Sequence, residues 1–166
     1  IAGRVAEMDR LADWLPAHLP GGEEASIVHG DYRCDNVMFA HAEPRVVAVL
    51  DWELSTIGHP LADFTYHLMM YRMPPIGTTG LLGYDLAALN IPPEADTVRY
   101  YCAATGRETI ADLDYYIAYN LYRLAAIVHG VKARMLRGNA VSAHAEAMAA
   151  ALPELARLAW ANAERV

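Results

Sequence analysis

The stretch from Ile27 to Asp51 constrains this chain more than any other. Ile27-Val28 is a short apolar pair that runs straight into His29-Gly30-Asp31. Val37-Met38-Phe39 and Val46–Leu50 follow, rich in β-branched residues, with the polar turn His41–Arg45 between them. Two short strands joined this way predict a hairpin. Its open end would bring Asn36, just before the first strand, toward Asp51, just after the second. Residues fifteen apart in sequence could then share one cation.

The residue types in this stretch suit phosphoryl-transfer chemistry. Asp31 can accept a proton from a substrate hydroxyl, or orient it. Asn36, five residues on, offers a neutral amide oxygen to a hard cation. Asp51 adds a carboxylate. Magnesium prefers oxygen ligands and keeps several waters, so one or two protein ligands are enough. Arg33 could hold the transferring phosphoryl group, and equally could pair with Asp35. His-x-Asp-x-x-x-x-Asn is also the spacing of a kinase catalytic loop. Three fixed residues at ~5% usage each arise by chance in roughly one chain in fifty of this length. The strand ending in Asp51-Trp52-Glu53 makes the pattern more specific.

The rest of the chain reads as helix. Arg4–His18 carries Val5, Met8, Leu11 and Leu15 at helical spacing, with Pro16, Pro20 and Gly21-Gly22 as stops. Pro60 suits the first turn of a helix to about Tyr71. Met73–Tyr84 is loop-like. Helices are expected over about Pro93–Ala104, Ile110–Leu136 and Ala140–Arg165, with Pro153 kinking or splitting the last. In the long one, Leu113, Ile117, Leu121, Leu124, Val128, Val131 and Met135 form an apolar stripe. The fold class is α+β, mostly helical, in a single domain over 1–166.

Composition narrows the classes. Hydrophobic residues make up 55% of the 166, too many for a disordered chain. No apolar run approaches the roughly 18 residues of a membrane span, and no basic-then-apolar leader is read at the start. Thirteen basic residues against 20 acidic give a formal net charge of −7, which argues against nucleic acid as a partner. Cys34 and Cys102 are too few for a disulfide scaffold, so a reducing cytoplasm is expected. No His/Cys cluster has zinc spacing, and a hydrolase using His29 and Asp31 lacks a second His–Asp set. The tyrosines at 100, 101, 115, 116, 119 and 122 read as core and rim packing.

On these residues the chain resembles the aminoglycoside phosphotransferase family, a branch of the kinase-like fold. His29-Gly30-Asp31 matches its catalytic loop. Val49-Leu50-Asp51-Trp52-Glu53 matches its metal-binding strand end, and Gly58-His59-Pro60-Leu61-Ala62-Asp63 its following helix, with His59 where the family usually has Asp. The wording is closest to the subgroup related to kinase domains fused to acyl-CoA dehydrogenases. The resemblance implies ATP as phosphoryl donor and Mg2+ held by Asn36 and Asp51. It implies Asp31 as catalytic base, His29 as structural support and Asp63 as a brace for the catalytic loop. It implies a small-molecule acceptor, a hydroxyacyl-CoA or, alternatively, an aminoglycoside or other amino-alcohol.

Kinases of this fold also use an amino-terminal lobe with a strand lysine. Here the single lysine is Lys132, and Gly77-Thr78-Thr79-Gly80 lacks the G-x-G-x-x-G spacing. The chain is therefore read as a carboxy-terminal lobe, weakly active or inactive alone. Its bared cleft face could promote self-association. A non-catalytic binding fragment is the rival from another class.

Overall fold

The computed structural model describes residues 3–76, 79–137 and 143–166, with the side chains of 143–145 left aside. Gly77, Thr78 and the expected helix start at Ala140 lie outside the described residues. The described chain is mixed α+β and mostly helical, and it falls into two compact units. One comprises residues 1–20 and 68–166, the other Gly21–His67.

The larger unit is built by apolar stripes on helices. α1 (Ala6–Ala17), α3 (Glu94–Thr105), α4 (Leu113–Leu136) and α5 (Ala143–Ala163) follow the helical periodicity. α4 packs along α5, and α1 packs on both. Leu11 and Leu15 of α1 are buried, with Ile117, Leu121 and Val128 of α4 and Leu152, Leu155 and Ala159 of α5. The stripe read on α4 is thus buried at its centre, while Leu113, Leu124, Val131 and Met135 are half-buried.

Aromatic contacts join the same helices. Trp14 lies 5.9 Å from Tyr115 and edge-on to Trp160 at 6.5 Å, and Arg10 sits 3.8 Å over the Trp160 ring. Tyr115 donates its hydroxyl to Leu15 O at 3.1 Å.

A polar clamp completes this unit. Arg72 follows Met69 in a 3-10 turn (Met69–Arg72). Its Nε and Nη2 donate to Glu94 Oε1 at 2.9 and 2.6 Å, and its Nη1 to Asn162 Oδ1 at 2.6 Å and to Asp114. Burial opposes the charge, yet the bonds to Glu94 and Asp114 hold this guanidinium more firmly protonated than a free arginine.

Two helix ends differ from expectation. Pro16 sits inside the last turn of α1 instead of ending it. The stop is His18, whose Nδ1 donates to Trp14 O at 2.8 Å while its ring stacks on Trp14. Pro153 does not split α5, which runs through it as one helix. One lost N–H is tolerable in a 21-residue helix packed along its length.

The smaller unit holds four short strands in two antiparallel pairs. β2 (Val37–Phe39) and β3 (Val46–Val49) form the expected hairpin, with Val37 opposite Val49 and a bulge between Met38 and Phe39. β1 (Ser26–Val28) pairs with β4 (Thr56–Gly58), a partner the sequence reading did not identify. α2 (Leu61–Leu68) follows and ends sooner than Tyr71, passing into the 3-10 turn. His59 lies just before α2 and bonds its first residue. Its Nδ1 accepts from Leu61 N at 3.3 Å, so Nε2 carries the proton and faces Glu24 Oε2 at 3.7 Å.

Candidate active site

The hairpin register decides which loop ends meet. Leu50 N donates to Asn36 O at 2.8 Å, extending the ladder one step beyond Val37 and Val49. Asp51 is the next residue. It takes a left-handed conformation, φ 66° and ψ 51°, and opens a 3-10 turn over Trp52–Leu54. Asn36 ends another such turn, Cys34–Asn36, immediately before β2.

Asp31 and Asn36 are tied directly. Asn36 Nδ2 donates to Asp31 O at 2.9 Å and to Asp31 Oδ2 at 3.0 Å. The amide nitrogen is thereby committed, and the amide oxygen is what Asn36 has to offer a cation. Among the described residues, no hydrogen bond is made to Asp31 Oδ1 or to the Asp51 carboxylate. Nor do three His, Cys, Asp or Glu residues gather closely enough to cage a metal among those residues. What the site presents is one amide oxygen and one carboxylate, both hard donors. That set fits magnesium, which completes its shell with water and phosphate oxygens.

His29 and Asp63 hold the loop from behind. Asp63, in the first turn of α2, accepts from Gly30 N at 2.9 Å through Oδ1 and from His29 N through Oδ2. Buried His29 accepts at Nδ1 from Asp31 N, 3.2 Å away. Its Nε2 must then carry the proton, and it donates to Leu50 O at 2.7 Å. One neutral imidazole thus links the backbone of Asp31 to the strand end before Asp51. With both nitrogens engaged, it has no lone pair for a substrate proton.

Gly30 is the functional position the sequence reading passed over. It has φ +82°, and a Cβ there would lie 2.6 Å from Leu54 O. Only glycine lets the Asp31 loop approach the turn after Asp51 this closely. The visible signal was the glycine between His29 and Asp31.

Arg33 pairs with Asp35 and lies within electrostatic reach of Asp31. Its Nε donates to Asp35 Oδ2 at 2.8 Å, and its Nη2 bonds the same oxygen. The pairing with Asp35, read as one of two alternatives, is the one present in this structure. Cys34 is an exposed free thiol and Cys102 a buried one.

A glycine-bearing loop with an aspartate, an asparagine five residues on and a second aspartate at a strand end is a layout suited to phosphoryl transfer. The model of the phosphotransferase enzyme family, APH, matches residues 2–101, and the chain belongs to that family.

Among curated relatives, it is 41% identical over 159 residues to mouse acyl-CoA dehydrogenase family member 10, covering 94% of this chain and 15% of that protein. It is 37% identical over 139 residues to human acyl-CoA dehydrogenase family member 11, covering 81% of this chain and 18% of that one. A crystal structure of a Ralstonia eutropha protein, described as a candidate aminoglycoside phosphotransferase, superposes with a TM-score of 0.91 at 44% identity. The match covers 98% of this chain and 50% of that one. The chain therefore spans half or less of the length of each protein it matches here. No helix among the described residues is long and apolar enough to cross a membrane.

Proposed function

We propose that this chain carries the catalytic centre of an ATP- and magnesium-dependent phosphotransferase acting on a small-molecule hydroxyl. The observation that carries the reading is the Asn36 bridge. One amide nitrogen fixes Asp31 through its carbonyl and Oδ2, leaving Oδ1 for an acceptor hydroxyl. Asp31 Oδ1 orients that hydroxyl and takes its proton as the new P–O bond to the γ-phosphorus forms and the bond to the bridging oxygen breaks, with ADP as leaving group. His29 and Asp63 keep the loop from shifting. Asn36 Oδ1 and the Asp51 carboxylate are the groups that would hold the magnesium. When bound, the ion neutralises charge on the donor phosphates. Catalysis of this kind is mostly positioning and electrostatics, so a rigid hydrogen-bonded loop is what the protein has to provide.

The acceptor is proposed to be a hydroxyacyl-CoA. Family members 10 and 11 of the acyl-CoA dehydrogenases support this, because they join a segment like this chain to a name that points to acyl-CoA chemistry. Arg99, Arg107, Arg123, Arg134 and Arg137 give the later helices some basic character, which suits an anionic acceptor. The Ralstonia eutropha neighbour favours the second reading, an aminoglycoside acceptor. In either case the donor's phosphates need a further lobe with its own cation, since Lys132 is the single lysine here. The free thiols suit a reducing, cytoplasmic setting.

The test is Asp31→Asn in the full-length protein, assayed with ATP against a hydroxyacyl-CoA and against kanamycin. Transfer is expected to fall by at least ~100-fold, the usual reach of a positioned general base. The circular dichroism spectrum and ATP affinity should stay near wild type. Wild-type turnover by Asp31→Asn would overturn the catalytic assignment. Turnover of kanamycin alone would replace the acyl-CoA reading with the other.

A further inference from the structure

Asp51 has an unusual backbone for a residue with a side chain. Its φ of 66° lies in the left-handed region, where a Cβ crowds the neighbouring carbonyl. Among the described residues its carboxylate makes no hydrogen bond that could hold it there. The direction of the carboxylate therefore depends on the backbone around it.

Two ring N–H groups secure that backbone. Trp52 Nε1 donates to Val49 O at 2.8 Å, and His29 Nε2 donates to Leu50 O at 2.7 Å. The two carbonyls before Asp51 are thus each taken by a ring, one from the residue just after it and one from the catalytic loop. The rings also touch, with centroids 4.7 Å apart at 52°. Burial does not account for a tryptophan here, since Trp52 is 48% exposed. A leucine or phenylalanine could cover His29 as well, but neither returns a donor to Val49 O.

We infer that Trp52 is a positioning residue for the cation site: its indole N–H closes the 49–52 turn and holds Asp51 where its carboxylate can share a cation with Asn36. This rests on the reading of Asp51 as a magnesium ligand. The contact with His29 couples the same turn to the Asp31 loop, so the cation ligand and the base are held by one pair of rings.

The experiment compares Trp52→Phe, Trp52→Leu and Asp51→Asn with wild type in the full-length protein. Magnesium is titrated calorimetrically in the presence of a non-hydrolysable ATP analogue. The magnesium dependence of phosphotransfer and the melting temperature are measured alongside. Trp52→Phe keeps a ring and loses the donor. It is expected to raise the magnesium needed for half-occupancy by about fivefold, the equivalent of one ordinary hydrogen bond. Its rate at saturating magnesium and its melting temperature should stay close to wild type. Trp52→Leu should raise the requirement further.

A wild-type magnesium curve for Trp52→Phe, with binding lost in Asp51→Asn, would overturn the role of Trp52 and leave the site intact. So would a lowered melting temperature with an unchanged magnesium curve, because that marks a purely structural ring. A wild-type curve for Asp51→Asn would remove the metal assignment itself, and this inference with it.

Discussion

The two units of this molecule are held together by different physics. The helical unit owes its shape to burial. Leu11, Ile117, Leu121, Val128, Leu152 and Leu155 are fully buried in it, all on stripes of α1, α4 and α5. The smaller unit buries little. Ile27, Phe39, Val46, Leu50, Leu54 and Ile57 are all exposed there, and its loop is fixed by directed hydrogen bonds that Asp63 accepts and that His29 and Asn36 donate. Burial is non-directional and tolerates approximate shapes. A site that must place two carboxylates and an amide within a few tenths of an ångström needs directed bonds instead. Small changes should therefore harm function in one unit and stability in the other.

The sharpest test of that division is Gly30→Ala. The added methyl would meet Leu54 O at 2.6 Å in a left-handed conformation that L side chains resist. Either the Asp31 loop or the 52–54 turn must move. Misplacement by about 1 Å can cost ~100-fold in rate, so steady-state phosphotransfer should fall by that order. The melting temperature should change far less. A variant that transfers phosphate normally would break the argument that close approach of these two loops sets the site.

Leu121→Ala is the opposite case. It removes a fully buried side chain from the α4 stripe and should cost about 3 kcal/mol in chemical denaturation. The folded fraction should keep its magnesium and acceptor constants. A shifted KM in that variant would show that the two units are less separable than their construction suggests.

His67 sharpens the comparison through pH. Burial pushes its pKa below the ordinary histidine value, so the folded chain disfavours its charged form. The unfolded chain then binds more protons between the depressed folded value and the ordinary one near 6.5. Stability is full above that ordinary value and declines as pH falls through the window below it. His67→Gln should flatten the loss of stability between pH 7 and 5, measured by urea titration at each pH.

The smallest effect is expected on the helical surface. Arg157 donates to Glu154 at 2.6 and 2.8 Å, and this lowers the Glu154 pKa. That contribution is present above the ordinary carboxylate range and is lost as pH falls through the depressed value. Both side chains are largely exposed, so solvent screening should leave Arg157→Ala close to wild type in urea denaturation. A loss comparable to that of Leu121→Ala would mean the pair is coupled to something deeper.

Much of this was legible in the residue order because it is local. The α4 stripe, the hairpin over Val37–Val49 and the Asp31–Asn36 spacing each lie within a short window, where periodicity and turn chemistry act directly. The strand pair β1–β4 was missed for the opposite reason. Thr56-Ile57-Gly58 is three residues long, and its partner lies thirty positions away, so neither segment carries a pattern of its own. Arg72 is similar. Nothing in its neighbourhood announces Glu94, Asp114 and Asn162, which three separate helices bring to it. Pro16 and Pro153 misled because a proline's local penalty was weighed without the packing that absorbs it.

The sequence by itself determined the helix order, the helical stripes, the Val37–Val49 hairpin and the Asp31–Asn36 spacing, since all of these follow from side-chain type at short spacing. Only the tertiary structure decided how that site is braced. The tautomer of His29, the need for glycine at 30, the left-handed turn at Asp51 and the commitment of Arg33 to Asp35 depend on partners and backbone angles that the chain acquires only when it closes on itself. Hydrogen bonds select by distance and direction, and residue order specifies neither until the backbone has fixed both.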